Sequence, residues 1–105
     1  MEHLHFEYQG SAATQIERPA VLVGVVSSGN LEVLIEAADS NGGCLVDVST
    51  SASGFSTIWR AVLDDFALRH DVANLKISIN DGGATPAVVG LRLDQAIEEF
   101  LRREP

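Results

Sequence analysis

The hydrophobic period of this chain first changes near Ser53, and that change constrains the fold more than any other feature. Before it, residues 21–26, 31–36 and 44–50 are short runs rich in Val, Leu and Ile, the composition of strands. Ser27-Ser28-Gly29-Asn30 and Asp39-Ser40-Asn41-Gly42-Gly43 separate these runs and have turn chemistry. Past Ser53, Phe55, Ile58, Trp59, Val62, Leu63 and Phe66 make the apolar stripe of an amphipathic helix reaching about His70, with Ser53 or a nearby serine as its cap. Leu75, Ile77 and Ile79 then alternate with Lys76, Ser78 and Asn80, a strand with one face in the core. Asp81-Gly82-Gly83-Ala84 turns the chain. Thr85 caps a second helix with Pro86 at its first position, where a missing N–H costs nothing. Val89, Leu93, Ala96, Ile97 and Phe100 form its buried face, and Glu98 with Arg102 and Glu99 with Arg103 are spaced as surface pairs.

This order predicts an α+β fold: a mixed, mostly antiparallel four-stranded sheet with two helices on one face (β-β-β-α-β-α). Residues 21–26 are apolar almost without interruption and read as a central strand covered on both faces or nearly so. Residues 3–8 alternate apolar and polar, the pattern of a short edge strand. A chain of 105 residues has surface enough to bury for one core, so residues 1–105 are expected to be a single domain without a deep enclosed active site.

Composition excludes several functions. Asp and Glu outnumber Lys and Arg by 15 to 7, a formal charge of -8, which argues against nucleic-acid binding. The same charge suits steering toward basic partner surfaces, though solubility alone accounts for it. No apolar run approaches the roughly 20 residues of a membrane span and no signal segment opens the chain, so a cytoplasmic location is expected. Cys44 is the single cysteine, starts an apolar run, and reads as a small buried hydrophobe.

Ser28 is the residue on which function turns. A nucleophile elbow needs glycine two residues before and after its serine, but Val25 precedes Ser27 and Val26 precedes Ser28. His3, His5 and His70 suggest no partner base, and His3 with His5 is too few ligands for a metal. A serine at a hairpin tip, followed by Gly29 with no side chain in the way, suits a different role, that of a handle to which another enzyme attaches a group. Asp81 to Thr85 has two readings, an anion site at a helix start or a helix cap with a glycine turn, and the cap is preferred. Trp59, on the helix stripe, is core before it is a docking residue.

Five segments in order carry a resemblance over nearly the whole chain: residues 1–8 (Met-Glu-His-Leu-His-Phe-Glu-Tyr), residues 23–33 (Val-Gly-Val-Val-Ser-Ser-Gly-Asn-Leu-Glu-Val), residues 50–55, residues 59–63 and residues 79–86. Together they resemble the acyl carrier subunit of malonate decarboxylase and, more distantly, that of citrate lyase. The resemblance implies a non-catalytic carrier whose Ser28, beside Gly29, holds 2′-(5″-phosphoribosyl)-3′-dephospho-coenzyme A through a phosphodiester. That arm is drawn from triphosphoribosyl-dephospho-coenzyme A and carries acetyl and malonyl groups as thioesters. Implied partners are the acetyl-carrier:malonate transferase subunit, the malonyl-carrier decarboxylase subunits, the prosthetic-group transferase and a malonyl transacylase, with no nucleic acid and no membrane span. Asn30 stands where that family usually has Asp, and Gly82 where a bulkier residue is common. The four-helix acyl carrier fold, which places its serine in Asp-Ser-Leu at a helix start, is excluded by the strand pattern; Asp39-Ser40 is a coincidence. Two alternatives remain: a regulatory domain with an anion site at Gly82-Gly83 and an unmodified Ser28, and a plain interaction subunit.

Overall fold

The computed structural model describes residues 1–10, 21–23, 30–38, 40–70 and 73–102. Among them, five strands form a sheet: β1 (Glu2–Gln9), β2 (Val21–Val23), β3 (Leu31–Ala37), β4 (Gly43–Thr50) and β5 (Leu75–Asp81), in the order β1-β4-β5-β3-β2. The helices are α1 (Ser56–Arg69) and α2 (Pro86–Arg102). The α+β class, the mixed and mostly antiparallel sheet and the two helices are as expected. The sheet carries one strand beyond the four expected, because β1 pairs with β4 along its whole length, from Glu2↔Thr50 to Gln9↔Gly43.

Alternation sets which face is buried. Leu31, Val33 and Ile35 of β3, Val46 and Val48 of β4, and Leu75, Ile77 and Ile79 of β5 are all at most 1% exposed, while the residues between them are not buried. Both helices lay their apolar stripes on that one face, where Trp59, Leu63 and Phe66 of α1 join Val89, Leu93, Ala96, Ile97 and Phe100 of α2 in a single cluster. Burying side chains such as Leu93, Ile97 and Phe100 contributes roughly 1.5–3 kcal/mol each. β4 and β5 run parallel, Cys44↔Leu75 to Thr50↔Asp81, because α1 carries the chain from the end of one to the start of the other. The remaining pairs, β2 with β3 and β3 with β5, are antiparallel.

Three expectations need correction. β2 lies at the edge of the sheet order and not at its centre. An apolar run reports burial and not position, and α2 packs against β2 as well as β3. Ser53 does not cap α1; the cap position is Phe55, which makes no side-chain cap hydrogen bond. Gly54, at φ 87°, turns the chain after Ser53, so the helix starts beyond the serine's reach. Phe55 and Ile58, on the predicted buried stripe, are 47% and 44% exposed. The stripe tells which side of a helix faces inward, not whether anything covers its first turn. The pairs to Arg102 and Arg103 fall on side chains outside the described residues.

At the far end of the sheet, the turn after β3 is closed by one side chain of its own and one from the residue that precedes β5. Ser40 Oγ donates to the carbonyl of Gly43 at 2.6 Å, and Asn74 Oδ1 accepts from Gly42 N–H at 2.8 Å. The Ser40 hydroxyl is thus engaged in its turn, and Asp39 lies outside the described residues.

Candidate functional site

Ser27, Ser28 and Gly29 lie outside the described residues, but the frame that holds their segment does not. Residues 24–29 connect β2 to β3, whose antiparallel pairing runs from Val21↔Ile35 to Val23↔Val33. Asn30, the first described residue after them, has φ 53°, a left-handed backbone that Asn tolerates better than most residues. Its carbonyl accepts the Gly82 N–H at 2.6 Å, and Leu31, buried, pairs with Asp81. The segment bearing the serines therefore joins the sheet at the carboxyl ends of the parallel strands β4 and β5. In open α/β sheets that is the end where ligands bind.

Thr50 and Asp81 finish those two strands and are both buried. The Thr50 hydroxyl donates to Asp81 Oδ2 at 2.8 Å. Asp81 Oδ1 accepts the N–H groups of Gly83 at 3.1 Å and Ala84 at 2.8 Å. Thr85 Oγ1 accepts the Val88 N–H at 3.3 Å, capping α2 above Pro86. The N–H groups of Gly82, Gly83 and Ala84 are thus all taken by acceptors within the protein. The cap reading of this turn holds, and the turn offers an anion little. No local motif links residues 31 positions apart, so the Thr50–Asp81 pair had no signal in the sequence.

Two depressions flank this end of the sheet. An apolar cleft of about 270 Å³ lies between the starts of α1 and α2, bordered by Phe55, Ile58, Trp59, Pro86 and Val89 with Thr50 and Asp81 at its floor. A more open groove of about 550 Å³ has Asn30, Ser49, Ser51, Asn80 and Gly82 in its walls. Trp59, at 6% exposure, is core as expected and also edges the cleft.

The histidines are engaged elsewhere. His3 Nδ1 is 3.0 Å from Ser49 Oγ, His5 Nδ1 is 2.6 Å from Asp47 Oδ1, and His70 Nε2 is 3.0 Å from Asp94 Oδ1. His3 and His5 sit on β1, three strand spacings from β3, on the order of 14 Å at ~4.8 Å per strand. Hydrogen bonds to Asp47 and then Glu7 hold the His5 imidazole above its usual range. Burial, then the bond to Asp64, pushes the Tyr8 phenol well up. Burial alone raises the Cys44 thiol to about 11, far from a reactive thiolate. Among the described residues no group of three His, Cys, Asp or Glu could hold a metal ion, and no helix is long and apolar enough to cross a membrane.

These features define a class: a small sheet-and-helix domain whose serine-bearing connection enters the sheet at one end and which gathers no reacting groups among its described residues. Comparison with known proteins gives the family. The family described as ACP, malonate decarboxylase delta subunit (MdcD), matches residues 18–100. A malonate decarboxylase acyl carrier protein of Stenotrophomonas maltophilia (strain K279a) is 54% identical over 105 residues, covering 100% of this chain and 99% of the relative. One of Acinetobacter calcoaceticus is 55% identical over 100 residues, covering 95% and 97%. A chain from the crystal structure of a Pseudomonas malonate decarboxylase hetero-tetramer in complex with malonate superposes with a TM-score of 0.82 at 40% identity, covering 95% of this chain and 99% of that one. The chain belongs to the malonate decarboxylase acyl carrier (delta subunit) family.

Proposed function

We propose that this protein is the acyl carrier subunit of a malonate decarboxylase and that Ser28 is the attachment point of its prosthetic arm. The observation that carries the reading is the 54% identity to a malonate decarboxylase acyl carrier protein over the full 105 residues, the serine-bearing segment included. The proposed arm is the phosphoribosyl-dephospho-coenzyme A group, linked by a phosphodiester to the Ser28 hydroxyl. When bound, it supplies a thiol on which acetyl and malonyl groups travel as thioesters between partner active sites.

The described surroundings fit such a group. A Cβ built on Gly83 would meet nothing within 4 Å, whereas one on Gly82 would come within 3.1 Å of the Asn30 Cβ, so glycine there lets Asn30 close on the turn. The neighbouring apolar cleft, and the groove with the polar side chains of Asn30, Ser49, Ser51 and Asn80 among its walls, suit a group with both characters. The chain's own residues hold the connection in place: Asn30 through its bond to Gly82, and Leu31 through burial and pairing with Asp81. Catalysis belongs to the partners, the transferase and decarboxylase subunits, with the prosthetic-group transferase and malonyl transacylase loading the arm. An acidic surface, at a formal charge of -8, suits encounter with basic mouths on those partners.

The test is intact mass after co-expression with the enzymes that build and attach the arm. The wild type and Ser27→Ala gain the mass of the arm, while Ser28→Ala folds and stays unloaded. Loading of Ser28→Ala, or an unmodified wild type from its native source, overturns the assignment.

A further inference from the structure

We infer that in the loaded carrier the adenine ring of the arm seats in the apolar cleft between the starts of α1 and α2, against Phe55 and Trp59. This rests on the carrier reading, since it takes Ser28 as the anchor.

Position and connectivity argue together. Asn30, two residues beyond Ser28, is bonded to Gly82, and its neighbours Asp81 and Gly83 line the cleft. In the arm, the phosphoribosyl link joins the serine to the ribose of the adenosine, so the base lies at the near end and the thiol at the far end. A cleft beside Gly82, the partner of Asn30, is met by the base before the thiol end. At about 270 Å³ it falls just below the ~300–1,000 Å³ of sites that enclose a whole small ligand, so it takes one part of the arm.

The lining selects which part. Phe55, Ile58, Trp59, Val62, Pro86 and Val89 are apolar, and two of them are aromatic, which suits stacking against a flat base. Thr50 and Asp81 are the only polar side chains among the described residues that line it, and they bond to each other. A phosphate or a malonyl carboxylate placed there would face the Asp81 carboxyl with no cation among the described lining residues to offset it; a neutral base does not. The cleft also accounts for an otherwise costly exposure. Phe55 and Ile58 sit on the inward stripe of α1 yet remain 47% and 44% exposed, with nothing of the described chain covering them. A base seated there covers both and leaves the thiol end free to reach the partners.

The experiment compares unloaded and loaded protein by NMR, after intact mass has established that Ser28 carries the arm. Trp59 is the single tryptophan, so its indole N–H is an unambiguous reporter. Loading is expected to shift the Trp59 indole and the Phe55 and Ile58 amides, and to give contacts between the adenine ring protons and the Phe55 ring. Ile58→Glu and, independently, Phe55→Ala should load fully while the Trp59 shift is lost. A loaded protein whose shifts are confined to the Asn30, Ser49 and Asn80 groove, or one with no adenine contact to the cleft, overturns this inference and leaves the carrier reading standing. A protein that never gains the arm overturns both.

Discussion

The Gly82 N–H donates to the Asn30 carbonyl at 2.6 Å, tying the start of β3 to the turn that enters α2. This bond joins the residue next to the candidate attachment segment to the loop bordering both depressions. Asn30 holds it from a left-handed backbone, φ 53°. A β-branched residue there should cost about 1–2 kcal/mol, whereas Asp retains a short polar side chain that tolerates this conformation. Asn30→Val should therefore lower the urea midpoint clearly and Asn30→Asp little. Equal midpoints for the two variants would show that the left-handed conformation is not required.

Asp81 offers a second test. Its carboxyl accepts from the Thr50 hydroxyl and from two backbone N–H groups, at a position 9% exposed. Asp81→Ala strands these donors, and each one left without a partner in a buried site costs on the order of 1–3 kcal/mol. A total loss of about 2–4 kcal/mol is expected, allowing for water reaching the turn. Asp81→Asn, whose amide oxygen still accepts, should lose less. Chemical denaturation followed by circular dichroism measures both.

Cys44 makes the thiol of the proposed arm easy to count. Burial raises the Cys44 thiol to about 11, so little thiolate forms near neutral pH and a reagent has little access to it. The folded, unloaded protein should react negligibly with a disulfide reagent at pH 8, and the loaded one should show a single fast thiol. In denaturant each count should rise by one. A fast thiol in folded, unloaded protein would contradict the burial of Cys44.

His5 on β1 sets a pH dependence. Hydrogen bonds to Asp47 and Glu7 raise the folded-state pKa of His5 above its unfolded value of 6.5. Its contribution is therefore fully present below pH 6.5 and is lost as pH rises through the raised folded-state value. The side chain is 52% exposed, so the effect falls within the roughly 0.2–1 kcal/mol of solvent-screened pairs. The urea midpoint of the wild type should fall relative to that of His5→Gln as pH rises from 6 to 8, and the difference should shrink in high salt. Parallel pH profiles for the two proteins would remove His5 as the cause.

Where the chain's own order of residues carried the information, it sufficed. The alternation of Leu75, Ile77 and Ile79 and the stripe of Val89, Leu93, Ala96, Ile97 and Phe100 determine a strand and a helix, because side-chain period is a local property of the backbone. Thr85 before Pro86 determines the start of α2 in the same way, and five ordered segments determined the family. Turn chemistry between two apolar runs made Ser28 the proposed handle, and its segment lies outside the described residues. What surrounds the point where that segment enters the sheet was decided only in three dimensions. β2 at the sheet edge, β1 along β4, and the meeting of Asn30, Thr50, Asp81 and Gly82 at one sheet end depend on strand order and register. Those come from which faces pack together across dozens of residues. Phe55 and Ile58 show the difference most directly. Their spacing puts them on the inward side of α1, but only the placement of α2 and the sheet left that side uncovered at its first turn, because a helical period specifies direction and not the neighbour that lies there.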